Sequence, residues 1–437
     1  MKKIMERVIN QITDHKAEAD LIYSTSKALS MSAQNGEISS YKVSSSEILG
    51  VRVIKDGRVG ISYTEALDEE SLQFMIKHAL QNAEISEPNP NERIMELTGH
   101  LADEESHPEP EVDIALKTKK ALELESVVKM MDQRVVSVPH NGFSENEYKS
   151  LYLSSRGRST SYLDKSYSIS SSALLDEKGK KAIFYDFNLA KTFEELQWNK
   201  VIETSLFHAR NLLEEETLPS GKYEVKFTED CLKQLLDCFS NFYSGKSAMD
   251  KMNPWDQKLG AEVMSKDITI VDHPTYEHSF RTSLFDSEGV ERKPLTLVKD
   301  GVLQSFYHNS MTANHFKTKT TGHASRSAGS SLGIAGNDLL VMGKNKKELP
   351  QRYLEVIQMD GLYSGANRVK GTFSVAIKGY VWEYGERTKT FGNITLSGNL
   401  MEMFMNVDVV GEGLEASRDH SFFSVPLIFH NLSIAGA

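Results

Sequence analysis

Residues 150–172 constrain the fold of this chain most. Tyr167, Ile169, Ser171 and Ala173 alternate with Ser168, Ser170 and Ser172. A period of two is the period of a strand, with one face apolar and the other covered in small hydroxyls. A serine-rich stretch without that alternation reads as a linker, and a helical repeat would place the apolar residues three and four apart. Other segments repeat the β pattern. Asn35-Gly36 and Asp56-Gly57 are hairpin turns because both positions tolerate positive φ. They separate strand-like segments at 20–25, 28–33, 48–54 and 59–63.

Helices alternate with these strands. Ile4, Val8, Ile9 and Ile12 recur at helical spacing, as do Leu72, Met75, Ile76, Ala79, Leu80 and Ala83 behind a candidate N-cap, Asp68. Further helices are predicted at 114–134, 194–216 and 229–243, with Pro219-Ser220-Gly221 as a stop between the last two. The remaining chain is mostly short strands at 268–271, 295–298, 302–307, 372–377, 380–384, 394–397 and 424–429. Residues 353–360 fit either a short helix or a strand, and Asn399 caps a helix predicted at 399–407. The expected class is α+β. An N-terminal mixed α/β domain (1–217) precedes a mainly antiparallel, twisted sheet or partial barrel (218–437).

Charge is uneven. The chain of 437 residues carries a net −11, of which −8 falls between Ile85 and Asp113. That stretch also holds four of the eleven prolines and reads as a mobile or surface-wrapping connection. No basic stripe is present to neutralise phosphates, so direct nucleic-acid binding is not expected. No apolar run is long enough to cross a bilayer, and Met1–Arg7 leads straight into an amphipathic helix rather than a signal core. The two cysteines, Cys231 and Cys238, lie ~10 Å apart along a helix, beyond disulfide reach. Free thiols and a reducing cytoplasm are the expectation.

No local catalytic signature appears. His-Glu dipeptides, phosphate-cradling loops and Gly-x-Ser-x-Gly elbows are all missing. His273 and His278 share a proline-containing loop, and His308 and His315 lie seven apart without a carboxylate beside them.

A set of segments in fixed order says more. It comprises Asn35–Glu37, Gly50–Gly60, Phe285–Val290, Leu297–Gln304, Lys319–Ala324, Ile394–Leu400 and Pro426–Gly436. Together they resemble the TldD/PmbA family, whose members are labelled modulators of DNA gyrase and metallopeptidases. The TldD kind carries His-Glu-x-x-x-His on the helix opening the second domain, with a later cysteine. The PmbA, or TldE, kind lacks these and pairs with a TldD subunit. Here Asp237, Cys238 and Phe242 stand at the His, Glu and His places, and Ala376 stands at the cysteine place.

The resemblance therefore implies a non-catalytic subunit without a cofactor. It implies a zinc-bearing TldD-like partner and unfolded or leader-type peptides as substrate, and leaves a pair of identical chains open. An extended peptide adds naturally to an open sheet edge. The candidate edges are 320–335, with Thr320, Thr321, Gly322, Gly329 and Gly333, and 372–377. Two alternatives stand beside this reading: an independent hydrolase built on His273 and His278, and a regulatory protein acting on gyrase or its inhibitors.

Overall fold

The computed structural model describes residues 1–102 and 111–436. Its first part is organised around one large sheet. Helix α1 (Lys2–Asp14) leads into β1 (Glu18–Gln34), β2 (Glu37–Lys55) and β3 (Arg58–Thr64), then α2 (Glu69–Ile85), β4 (Gly99–Ala102) and α3 (Ile114–Met131). Strands β5 (Val135–Ser137), β6 (Gly142–Ser154), β7 (Arg158–Glu177) and β8 (Lys180–Ala190) follow, closed by α4 (Trp198–Leu212). The main strand order is β3-β2-β1-β6-β7-β4, with β5 and β8 also paired to β7.

The alternation seen in the sequence decides how this sheet is covered. Met31, Phe143 and Ile169 sit side by side across β1, β6 and β7, buried against α3 and α4. On the opposite face Ser30, Ser144 and Ser168 form a parallel row, with Ser32, Gly142 and Ser170 in the next. The apolar face thus recruits helices, whereas the hydroxyl face offers none of the area that drives packing. Nearer the N-terminus, α1 and α2 cover Leu21, Leu49, Val51 and Val53. The cap read at Asp68 is present, accepting from the Ser71 N–H at 3.0 Å. The Asn35-Gly36 turn is held from outside: the buried Glu125 carboxylate of α3 accepts both turn N–H groups, at 2.8 and 3.0 Å.

The second part begins with β9 (Gly221–Phe227), α5 (Glu229–Cys238), a 3-10 turn (Ser240–Tyr243) and α6 (Gly245–Met249). Next come β10 (Ile268–Asp272), β11 (Leu295–Lys299), β12 (Val302–Leu303), α7 (Ser310–His315), β13 (Ala324–Ser325), β14 (Gly333–Ile334), β15 (Leu339–Gly343), β16 (Arg352–Asp360), α8 (Leu362–Gly365) and β17 (Ala366–Asn367). Strands β18 (Thr372–Glu383), β19 (Glu386–Asn399), α9 (Leu400–Met405), β20 (Val407–Val409), β21 (Glu415–Ala416), β22 (Phe422–Ser424) and β23 (Leu427–Ala435) complete it. Strands β16, β9, β23, β19 and β18 close on themselves through a β16–β18 pairing, giving a five-stranded barrel. Helix α5 lays Leu232, Leu235 and Leu236 into the same core as Val225, Val356 and Phe429 of the barrel strands.

Several expectations change. The two strands expected at 20–25 and 28–33 are one strand, β1, and those at 372–377 and 380–384 are one strand, β18. Residues 353–360 are strand β16. Only Val302–Leu303 of the strand expected at 302–307 forms a ladder. The acidic connection wraps the surface where it is described. Asn89 N–H bonds to Gly57 O, Glu92 reaches Arg52 at 3.3 Å, and β4 adds in parallel to β7. Residues 103–110 of that connection lie outside the described residues. Among the described residues no helix is long and apolar enough to cross a membrane.

The two parts are joined by charge sealed from water. Asp20 sits between Arg52, at 2.6 Å, and Arg326, and Arg52 continues to Glu288 at 3.1 Å. All four side chains are 0–1% exposed. Glycine permits the close approach beside them: a Cβ on Gly50 would lie 1.7 Å from Ala328 O.

Candidate functional site

Helix α5 carries the residues that stand at the metal places of the resembling family. Acidic Glu229 and Asp230 begin it, favourably placed at a helix N-terminus, and its apolar face is pinned in the core. That pinning orients the rest. Asp237 is exposed; Cys238 and Phe242 point inward and are buried. The Phe242 ring packs edge-on against Trp255 at 5.0 Å and beside Phe239. Ala376 lies on β18 with its methyl on the exposed side, opposite Asp360 and Thr395.

A zinc ion needs three protein donors and prefers nitrogen or sulfur. These positions do not fit one. Phe242 has no donor atom. Burial raises the Cys238 thiol pKa, disfavouring the thiolate. Asp237 is already paired with Lys233 of the same helix at 2.8 Å. Lys233 also reaches Asp419 at 3.4 Å. Burial opposes the ammonium charge, but the two carboxylates outweigh it and raise the Lys233 pKa. A fixed cation thus already stands beside the one exposed acid. Among the described residues no three His, Cys, Asp or Glu side chains converge as a metal set.

The position of Asp237 is nevertheless special, because two hollows meet there. One, of about 540 Å³, runs between the first part and the barrel, lined by Tyr185, Phe187, Lys233, Asp237, Tyr363 and Arg418. The other, of about 450 Å³, is lined by Asp237, Asn241, Ser244, Tyr307, Ile334 and Gly336. Arg418 braces the first hollow, pairing at 2.8 Å with both Asp186 and Asp230. Burial works against its charge, but Asp230 and Asp186 prevail and raise its pKa.

The second hollow has a strand along its wall. Strand β14 pairs with β13 through Ala324–Ile334 and Ser325–Gly333, and Ala335 N–H continues the ladder to His323 O. Hydrogen-bonded pairs alternate in an antiparallel ladder, so the Ile334 N–H and C=O face away from β13. Gly336 lets this segment close on Tyr307, whose hydroxyl would lie 2.8 Å from a Cβ there. The site as a whole combines a free main-chain edge, aromatic walls and fixed charges of both signs, and those are the means to hold an extended chain.

Of the residues singled out as an edge, only Gly333 lies on this strand. Thr320 and Thr321 turn their hydroxyls to His308 O, at 2.9 and 3.2 Å. Gly322 is a left-handed turn residue, φ +74°, packed on Glu291 and Arg292, and Gly329 lies against the Tyr63 ring. The proposed edge at 372–377 is interior: β19 flanks it on one side, and β16 and β17 flank it on the other. His273 and His278 both contact the Tyr276 ring, at 5.7 and 5.3 Å, but the His278 side chain is 65% exposed. His308 is buried, which lowers its pKa to about 4, and it precedes α7 instead of sharing a face with His315. Cys231 and Cys238 are free and buried.

The sequence gave no sign of a buried relay behind the second hollow. His323 Nε2 lies 3.1 Å from Asp272 Oδ1 and Nδ1 lies 2.9 Å from Thr321 Oγ1, with Tyr307 stacked over the ring at 4.3 Å. Asn337 donates to the same carboxylate. Thr321 Oγ1 also accepts the His308 N–H at 2.7 Å, and His323 and Asp272 are fully enclosed. This set braces the wall of the hollow; it does not present a nucleophile to it.

With that geometry established, the chain was compared with known proteins. Three family descriptions match: PmbA/TldA metallopeptidase domain 1 at residues 19–83, the central domain at 104–213 and the C-terminal domain at 220–436. Among curated relatives, Metalloprotease PmbA of Escherichia coli O157:H7 is 24% identical, over 100% of this chain and 97% of that protein. The Metalloprotease PmbA homolog of Haemophilus influenzae is also 24% identical, over 95% and 92%. Among solved structures, a Thermotoga maritima protein described as a candidate modulator of a DNA gyrase superposes with a TM-score of 0.88 at 23% identity. It covers 99% of this chain and 100% of that one. TldE from Thermococcus kodakarensis gives 0.83 at 19% identity, over 99% and 100%. These superpositions carry the fold.

Proposed function

The chain belongs to the PmbA/TldD metallopeptidase family, and from that premise we propose that it is a subunit without its own hydrolytic metal, which holds extended peptides and pairs with a zinc-bearing homologue. One observation carries the reading. At the places where the resembling catalytic kind has His, Glu, His and Cys, this chain has Asp237 neutralised by Lys233, buried Cys238, aromatic Phe242 and the methyl of Ala376. Zinc belongs to the partner in this scheme, and the pair works in the cytoplasm. The hollows on either side of Asp237 keep the shape of a substrate groove while lacking its chemistry. The Ile334 main chain bonds the peptide backbone, Tyr307 and Tyr185 flank it, and Lys233 and Arg418 attract acidic side chains.

The test uses the full chain, purified alone and after co-expression with a homologue bearing His-Glu-x-x-x-His. The expected result is a one-to-one complex that cleaves an unstructured peptide, while the chain alone binds that peptide without cutting it. Stoichiometric zinc and peptide cleavage by the chain alone would overturn the proposal.

A further inference from the structure

The sheet of the first part ends in an edge that nothing described covers. Strand β3 pairs with β2 only from Leu49 to Lys55. The distal half of β2, residues 37–48, is paired with β1 on one side and, among the described residues, with no strand on the other. Natural edge strands of this length are guarded by prolines, bulges or dense charge. This one has no proline and three charges, and it exposes Tyr41 at 54% and Val43 at 67%. Beside it lies a groove of about 620 Å³, lined by Leu29, Tyr41, Val43, Val112, Ile114 and Lys117.

We propose that residues 38–48 of β2 pair antiparallel with the same residues of a second copy of this chain, joining the two sheets across a two-fold axis at Val43. The register follows from symmetry and charge. A two-fold axis normal to a sheet keeps every side chain on its own face, so opposed residues lie an even number of positions apart. The free edge spans residues 37–48, which admits two ladders of eleven residues, centred on Lys42 or on Val43. Centring on Lys42 sets two ammonium groups face to face and opposes Glu37 with Glu47. Like charges directly opposite each other destabilise a ladder.

Centring on Val43 opposes Val43 with itself, Tyr41 with Ser45, Lys42 with Ser44, Ile38 with Ile48 and Ser39 with Glu47, with no like pair. The ladder stops at Ile48, just before the first residue that β3 occupies. The apolar grooves of the two copies then lie along a continuous sheet. This inference does not depend on the peptide cleft or on a zinc-bearing partner, and either reading can fail without the other.

The test is symmetric cross-linking. Opposed residues of an antiparallel pair lie within disulfide range, and both native cysteines are buried. Under mild oxidation Val43→Cys is expected to give a disulfide-linked dimer in high yield, whereas Lys42→Cys and Tyr41→Cys give little. Independently, light scattering of the full chain is expected to show a dimer whose dissociation constant rises at least 100-fold in Val43→Lys, with unchanged circular dichroism. A monomeric wild type at 100 µM would overturn the proposal. So would a dimer unaffected by Val43→Lys, or cross-linking of Lys42→Cys or Tyr41→Cys as complete as that of Val43→Cys.

Discussion

Replacing Asp20 by asparagine should cost far more than its single charge suggests. Asp20 is fully enclosed, with Oδ2 bonded to Arg52 Nη2 at 2.6 Å and Nε at 3.1 Å, and Oδ1 bonded to Arg326. The two arginines are not equally dependent on it. Arg52 keeps Glu288 at 3.1 Å and Glu92 at 3.3 Å. Arg326 has no other carboxylate among the described residues, and its Nε and Nη1 already lack partners. Burial depresses the Arg326 pKa even with Asp20 present. Asp20→Asn therefore strands a guanidinium in a dry seam, and stranding one member of a buried pair costs about 3–5 kcal/mol. With a urea m value of about 3 kcal/mol/M, reasonable for a chain of this size, the first unfolding midpoint should fall by about 1–1.5 M. Arg326→Met removes the charge that most needs compensation and leaves Asp20 paired with Arg52, so it should cost less. A midpoint shift below about 0.3 M for Asp20→Asn, or a larger loss for Arg326→Met, would refute the reasoning.

Other outcomes follow from single contacts. Burial lifts the Asp338 carboxyl to about 7, so the folded chain holds a proton there that the unfolded chain has released. Stability should therefore fall as pH rises from about 4 through 7. Asp338→Asn should recover about 2–4 kcal/mol at pH 8, read from urea melts at both pH values. Gly60→Ala should displace α2, since its Cβ would lie 1.9 Å from Ala79 O; a loss of about 3 kcal/mol or more is expected in thermal unfolding. Glu125→Gln weakens the grip on the Asn35-Gly36 turn and should cost about 1–3 kcal/mol, with faster hydrogen exchange confined to those amides.

Local chemistry was legible in the sequence wherever it was also decisive. Asp68 and Asn399 cap the helices they were read to cap, because a side-chain acceptor one turn from an apolar run has few other uses. The 167–173 alternation gave both the strand and its two faces. Errors came from glycine and from capping signals that tertiary structure diverted. Gly379 was read as punctuation between two strands. It lies within one strand at a bulge, where a Cβ would stand 1.9 Å from Glu355 O. Thr192 and Glu195 exchange reciprocal main-chain bonds like a capping box, yet the helix starts only at Trp198. At the candidate site, the substitutions at Asp237, Cys238 and Phe242 could be read in line. The groove could not, because its walls come from Tyr185, Tyr307, Ile334 and Arg418, which no periodicity connects.

The hydroxyl face of the large sheet has a consequence for how the chain reaches its native state. Sliding a neighbouring strand by one residue would turn apolar side chains outward and is prohibitive; sliding by two sets serine against serine again. That face therefore discriminates poorly between correct and near-correct alignments. The choice falls to the bulky side, where Met31, Phe143 and Ile169 must meet α3, and to the tip of the first hairpin clasped by Glu125. Misaligned intermediates should accumulate when those anchors are weakened, and slow refolding would be the symptom before any loss of equilibrium stability.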